Sequence, residues 1–239
     1  MLPRNTKNAE PDRAIKTQPK IWIPSNDEIY VDDDLIQKAD FNSRLGEKIS
    51  EFLKRPAGAN KLVYIASSTN VDWGMVVNVI NRMRDKGVDR IGLIVRSNDR
   101  TKKRFLLQIL PQRDPNEDVS KLKVNPLILQ IELYSNLNVY LNTGWYGGRA
   151  TVVHEGLGEL NDTAGLNQKL ARIFQERKEQ HVYKPGMETR TDLSEDEQIE
   201  KTVVIKAYRS CWYADVIKII DFVKGAGANP IVLQLDDLP

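Results

Sequence analysis

The sequence predicts an α+β chain made of two tandem copies of a small mixed-sheet domain. Each copy is a hairpin followed by two helix–strand steps, with the helices on one face. Three observations carry this. Residues 62–95 and 202–235 align without a gap at an offset of 140, with seven identities: Val63/Val203, Ile65/Ile205, Val76/Val216, Ile80/Ile220, Gly87/Gly227, Ile91/Ile231 and Leu93/Leu233. All seven are apolar or glycine, and both segments run apolar strand, helix-period stretch, glycine, apolar strand. Upstream pieces recur as well: Leu2-Pro3 as Leu110-Pro111, Tyr30 as Tyr140 at an offset of 110, and Phe41–Leu45 as Leu166–Leu170. A repeat of this kind sets the architecture before any motif does. The unequal offsets put insertions in the second copy near 145–162 and 178–198. The expected domains are 1–100 and 101–239, each long enough for its own small core.

The elements follow in order. Residues 4–18 are polar and extended. Lys20–Pro24 and Glu28–Val31 read as strands around a Ser25-Asn26-Asp27 turn. A helix over 41–54 carries Phe41, Leu45, Ile49 and Phe52 or Leu53 at spacings near four, and Pro56-Ala57-Gly58 stops it. Leu62–Ala66 is a strand. Asp72 caps a helix over 72–86 whose stripe is Met75, Val76, Val79, Ile80 and Met83, and Gly87 fits the left-handed position past its end. Ile91–Val95 closes the copy.

The second copy reads alike. Leu127–Leu133 and Leu137–Leu141 are strands, and Leu166, Leu170, Ile173 and Phe174 mark a helix. Thr202–Ala207 is a strand. Val216, Ile217, Ile219, Ile220 and Val223 mark a helix ended by Gly227, and Ile231–Leu235 closes. In the insertions, Tyr146–Arg149 reads as a hairpin tip, Ala150–Val153 as an added strand and Gly156-Leu157-Gly158 as a loop. Tyr183–Gln198 reads as an irregular excursion. Ser97–Pro126 reads as a tether whose basic cluster, Arg100-Thr101-Lys102-Lys103-Arg104, is solvated.

Composition narrows the function classes. The chain has 239 residues, 41% hydrophobic and 28% charged, as in ordinary globular proteins. A net charge of +2 gives no electrostatic case for nucleic acid. The single cysteine, Cys211, excludes an intrachain disulfide. No apolar run reaches the roughly 18 residues that a membrane span needs.

Catalytic motifs are scarce. His154 and His181 both fall in the second-copy insertions, without partners at metal-ligand spacing, and read as exposed loop residues; no metal or cofactor is expected. Cys211 aligns with Val71 and reads as a small strand-end residue rather than a nucleophile. Gly225–Pro230 looks like a dinucleotide fingerprint but follows a helix and opens a strand, the reverse of that motif's context. Asp32-Asp33-Asp34 reads as a solvated turn. The aromatics Trp73, Trp145, Trp212 and Tyr213 carry more interest. Trp73 aligns with Tyr213 at the start of the second helix of each copy. Core packing is the default for the pair, and a shared surface that stacks on sugar or peptide is the functional alternative.

The repeated segment resembles the periplasmic domain of the ExbD/TolR family of biopolymer transport proteins. The resemblance lies in Val203–Ala207, Tyr213, Val216–Asp221 and Gly225–Asn229, and in Trp73–Val77 and Lys86–Leu93 of the first copy. Leu2-Pro3 resembles the Leu-Pro that follows the family's transmembrane helix, and Glu28–Val31 its hairpin strand. The family's acidic residue after the strand is replaced by Ser68 and Tyr208.

The resemblance implies a non-enzymatic periplasmic part of a complex that couples the proton-motive force to transport. It implies an N-terminal helical tether to the inner membrane preceding Met1, an ExbB/TolQ-like proton-channel subunit as partner, and binding to peptidoglycan or a TonB-like protein. The candidate partner-binding residues are Trp73, Tyr213, Tyr208 and Ser68. The two copies are expected to pack as a pseudo-twofold pair in place of the family's homodimer. A stand-alone ligand-binding or regulatory module is the alternative, and an enzyme acting on cell-wall sugars has only scattered carboxylates in its favour.

Overall fold

The computed structural model describes residues 20–54, 62–88, 90–96, 102–110, 127–143, 153–161 and 164–236. The first stretch gives Lys20–Ser25 (β1), Glu28–Val31 (β2), Asp34–Gln37 (β3) and Gly46–Leu53 (α1), the helix entered through a wide turn at Phe41–Leu45. Leu62–Ser67 (β4), Trp73–Arg84 (α2), Arg90–Arg96 (β5) and Lys102–Ile109 (β6) follow. Then come Leu129–Leu133 (β7), Asn138–Thr143 (β8), Val153–Glu159 (β9), Ala164–Glu179 (α3), the single turn Glu195–Gln198 (α4), Val203–Ala207 (β10), Tyr213–Gly225 (α5) and Ile231–Leu233 (β11).

The eleven strands form one mixed sheet in the order β3-β2-β1-β4-β5-β6-β11-β10-β7-β8-β9. The order on one side of β6 mirrors the order on the other. Directions invert as well: β4 and β5 are parallel, β5 and β6 antiparallel, β6 and β11 parallel, and β11 and β10 parallel. Ile21 lies beside Ile65 and Ile131 beside Ile205, so the sheet register reproduces the offsets of 110 and 140.

Alternation explains the burial. Ile21 and Ile23, Val63 and Ile65, Ile91 and Leu93, Ile131 and Leu133, and Val203 and Ile205 all point to one face. They join one cluster with the helix stripes of Val76, Val79, Ile80 and Met83 and of Val216, Ile219, Ile220 and Val223. Among the described residues, α1, α2, α3 and α5 therefore cover one face of the sheet and leave the other free of these four helices. The helix ends are set by backbone chemistry: Gly87 and Gly227 have φ of +80° and +96°, the left-handed conformation that glycine adopts without a Cβ penalty. Asp72 occupies the N-cap of α2, and its carboxylate accepts from Asn26 Nδ2 at 2.8 Å.

The two α2 and α5 entry loops meet reciprocally. Trp73 N donates to Cys211 O at 2.7 Å and Tyr213 N to Val71 O at 2.8 Å. Gly74 N donates to Arg209 O at 2.7 Å and Ala214 N to Thr69 O at 3.2 Å. Each bond becomes the other when 140 is exchanged between partners, which is the pattern of a self-complementary contact. The Arg209 guanidinium also reaches Asn78 and Gly74 O, and Arg84 grips Asp236 with both terminal nitrogens.

Several expectations are corrected. The tether contains β6, the middle strand of the sheet, because Phe105, Leu107 and Ile109 alternate into the core between exposed Leu106 and Gln108. The closing strands β5 and β11 therefore flank β6. Asp34 opens β3, which the acidic run concealed; Asp32 and Asp33 form the turn before it, with Asp32 at φ +53°. Gly156-Leu157-Gly158 belongs to β9, paired along β8, and is not a loop. In the sheet order β9 stands where β3 stands on the other side. Tyr183–Gln198 is mostly irregular and ends in α4. Residues 1–18, including Leu2-Pro3, lie outside the described residues, as do Pro56-Ala57-Gly58, Arg100-Thr101, Pro111, Trp145, the tip Tyr146–Arg149 and 150–152.

Candidate functional site

Strand alternation places Gln130, Glu132, Tyr140, Asn142, His154 and Lys206 on the helix-free face, and carries Tyr134, Tyr208 and Gln234 there just past their strands. Side chains that would be unremarkable on separate strands thus become neighbours.

Four rings form a continuous row. The Tyr208 and Tyr134 centroids are 4.4 Å apart, Tyr134 and Tyr140 meet edge-on at 5.0 Å, and His154 stacks on Tyr140 at 4.4 Å with the planes 9° apart. Gly156 lies under Tyr140, where an added Cβ would come within 3.5 Å of the ring. Below the rings, Glu132 accepts from the Tyr134 hydroxyl at 3.2 Å and sits 3.7 Å from Lys206 Nζ. Burial raises the Tyr134 phenol above its ordinary range, helped by hydrogen bonding with Tyr208 and the Glu132 charge. It is therefore a neutral donor at physiological pH.

An amide chain supports the row from beneath. Gln234 Nε2 donates to Asp236 O at 3.3 Å, Gln130 Nε2 to Gln234 Oε1 at 2.7 Å, and Asn142 Nδ2 to Gln130 Oε1 at 3.1 Å. Asn142 Oδ1 then faces His154 Nδ1 at 2.5 Å. Since every amide nitrogen in the chain is used as a donor, the last oxygen must accept, and His154 Nδ1 must carry the proton. In the neutral form of the ring this leaves Nε2 as the acceptor. Gln130, Asn142 and Gln234 are all buried, and each has partners, as buried amides require.

The four residues singled out from the sequence fare differently. Trp73 is 1% exposed and Tyr213 2%, so neither ring face is open to a partner. The Tyr213 hydroxyl instead donates to Ile94 O at 3.2 Å. Their shared position marks the contact between the two entry loops. Ser68 is half-buried, with its backbone N–H on Ile23 O at 2.9 Å, and it belongs to no cluster. Tyr208 joins the ring row. Of the other aromatics, Trp212 is 49% exposed beside the reciprocal contact.

Both histidines are exposed as expected, and only the loop placement of His154 needs correction. His154 is on strand β9, held at both its ring face and Nδ1. His181 is the exposed turn residue expected, 3.0 Å from Glu195. Cys211 is buried, and its thiol is pushed up to about 11 by that burial, which makes it a poor nucleophile. Among the described residues no group of three or more His, Cys, Asp or Glu is gathered as metal ligands would be.

A recess lies between α1 and α2, lined by Phe41, Leu45, Met75 and Val79 among others. Its rim is closed on itself by Arg82 Nη2, which donates to Asn42 Oδ1 at 2.5 Å. The ring row offers more: oriented donors, an acceptor of fixed tautomer, and aromatic surface. No family model matches the chain, and no curated protein matches it.

Proposed function

We propose that this chain is a tandem pair of ExbD/TolR-like domains, a pseudo-dimer within one polypeptide. It works without catalysis as the periplasmic part of a complex that couples the proton-motive force to envelope work. The observation that carries this reading is the reciprocal contact, in which Trp73, Gly74, Tyr213 and Ala214 exchange backbone bonds across an offset of 140. Two equivalent units that recognise each other by one self-complementary patch are what a fused homodimer requires. Tethering gives them a high effective concentration. Each unit supplies a hairpin and two helix–strand steps, the order the resemblance implies. The partners in this reading are an ExbB/TolQ-like proton-channel subunit and either peptidoglycan or a TonB-like protein. The location is the periplasm, with an N-terminal inner-membrane tether.

The test is co-sedimentation of the purified chain with peptidoglycan sacculi, alongside co-purification with a co-expressed ExbB/TolQ-like subunit. Retention by either supports the reading. A chain that remains in the supernatant and captures no channel subunit refutes it.

A stand-alone ligand-binding module is the second reading, and an asymmetry favours it. At the offsets of 110 and 140, the counterparts of Glu132, Tyr134, Tyr140, Lys206 and Tyr208 are Trp22, Pro24, Tyr30, Ala66 and Ser68. Only one tyrosine is shared, so the ring row is particular to the second unit.

A further inference from the structure

We propose that the helix-free face of β7, β8, β9 and β10 is a binding site for an uncharged saccharide with a hydrogen-bond donor aimed at His154 Nε2. The choice of a wall-type glycan as ligand rests on the peptidoglycan arm of the proposed function. The site itself rests on the geometry.

The ring row supplies the first argument. Tyr208, Tyr134, Tyr140 and His154 touch in sequence, and His154 is exposed at one end. The C–H faces of a pyranose are apolar and weakly positive, and they settle on the negative face of an aromatic ring. Charge supplies the second. Lys206 and Glu132 face each other, so an ionic ligand drawn to one meets the other. A neutral polyol can accept from the first and donate to the second.

The third argument is the fixed tautomer. The amide chain from Asp236 O to Asn142 directs His154 Nδ1 to donate, so that in the neutral ring Nε2 is the acceptor. A hydroxyl or an N-acetyl N–H fits it. Buried side chains that lock an exposed polar group in this way are the supporting shell that a binding site needs.

Repetition supplies the fourth argument. A surface required only by the fold would recur in the first unit, where the corresponding positions hold Trp22, Pro24, Ala66 and Ser68 instead.

The experiment uses the full chain and a short uncharged chito-oligosaccharide as probe, followed by titration calorimetry and by amide and imidazole NMR shifts. Saturable binding is expected, with shifts confined to β7–β10 and an imidazole signature of protonated Nδ1. His154→Ala and Tyr208→Ala are each expected to weaken it about tenfold, the worth of one good stacking contact. Arg172→Ala, at an exposed position of α3, should leave it unchanged.

Absence of saturable binding overturns the proposal, as does equal affinity in both alanine variants that retain the wild-type amide spectrum. Sacculi separate this result from the broader reading. Wild-type retention of His154→Ala and Tyr208→Ala on sacculi removes this site and leaves wall binding standing. Oligosaccharide binding at the patch without sacculus retention does the converse.

Discussion

Arg84 offers a direct measure of how firmly the C-terminal segment is held to α2. Its Nη1 donates to Asp236 Oδ2 at 2.9 Å and to Leu110 O at 3.3 Å, and its Nη2 donates to Asp236 Oδ1 at 2.7 Å. The arginine side chain is 10% exposed and the aspartate 31%. Fully exposed pairs contribute about 0–1 kcal/mol, and breaking a fully buried one costs about 3–5 kcal/mol. Solvent at the aspartate screens the pair, which puts the coupling at about 1–2 kcal/mol. The perturbation is a double-mutant cycle of Arg84→Met, which keeps the apolar stem, and Asp236→Asn, which keeps the shape. Urea unfolding reads the free energies. Arg84→Met alone should cost about 2–3 kcal/mol, since the carboxylate and the Leu110 carbonyl both lose a donor. Asp236→Asn alone should cost about 1 kcal/mol, and the double variant should cost less than the two together. Additivity within about 0.5 kcal/mol would refute the reasoning.

Three further outcomes are expected. Gly92→Ala places a Cβ 2.3 Å from Tyr64 Cδ1, so the ring must swing out into water; urea melts should show a loss of about 1–3 kcal/mol that nearly vanishes in a Tyr64→Ala background. Gly74→Ala brings a Cβ to 3.1 Å from Arg209 O, yet Ala214 occupies the reciprocal position with a bond longer by half an ångström. Thermal melts should therefore show a cost no larger than about 1 kcal/mol, partly offset by helix propensity. Burial pushes the Cys211 thiol from near 9 up to about 11, so the fold favours the neutral thiol. Its contribution to stability is whole below the unfolded value and is lost as pH climbs through about 11. Wild-type melts should fall across that window more steeply than those of Cys211→Ala, and equal slopes would count against the assignment.

The elements were legible where periodicity was strong. The stripe from Met75 to Met83 and its partner from Val216 to Val223 gave α2 and α5, and Gly87 and Gly227 gave their ends. Where charge masked a pattern, the reading failed. Asp32-Asp33-Asp34 hid β3, because an edge strand with one buried residue, Ile36, has almost no alternation to detect. Lys102 and Lys103 hid β6, although Phe105, Leu107 and Ile109 alternate plainly once the basic residues are set aside. The candidate site was harder still. Tyr208 stood out only as a departure from the ExbD/TolR pattern. Tyr134, Tyr140 and His154 come together through three strand pairings that no local signal encodes. Trp73 and Tyr213 drew attention for the right position, but their chemistry is internal.

The middle strand has a mechanical meaning. β6 is held to β5 by seven consecutive antiparallel pairs, from Arg90 beside Gln108 to Arg96 beside Lys102. It is held to β11 by two parallel pairs, Val232 with Gln108 and Leu233 with Ile109. A tensile load drawn across the sheet therefore meets a strong seam and a weak one side by side. The weak seam yields first and β6 departs with β5, while the loop bonds at Trp73 and Tyr213, the Tyr213 hydroxyl on Ile94 O and the Arg84–Asp236 pair still join the two halves of the sheet. An odd strand at the centre thus gives the molecule a defined breaking order that a symmetric ten-stranded pair would lack.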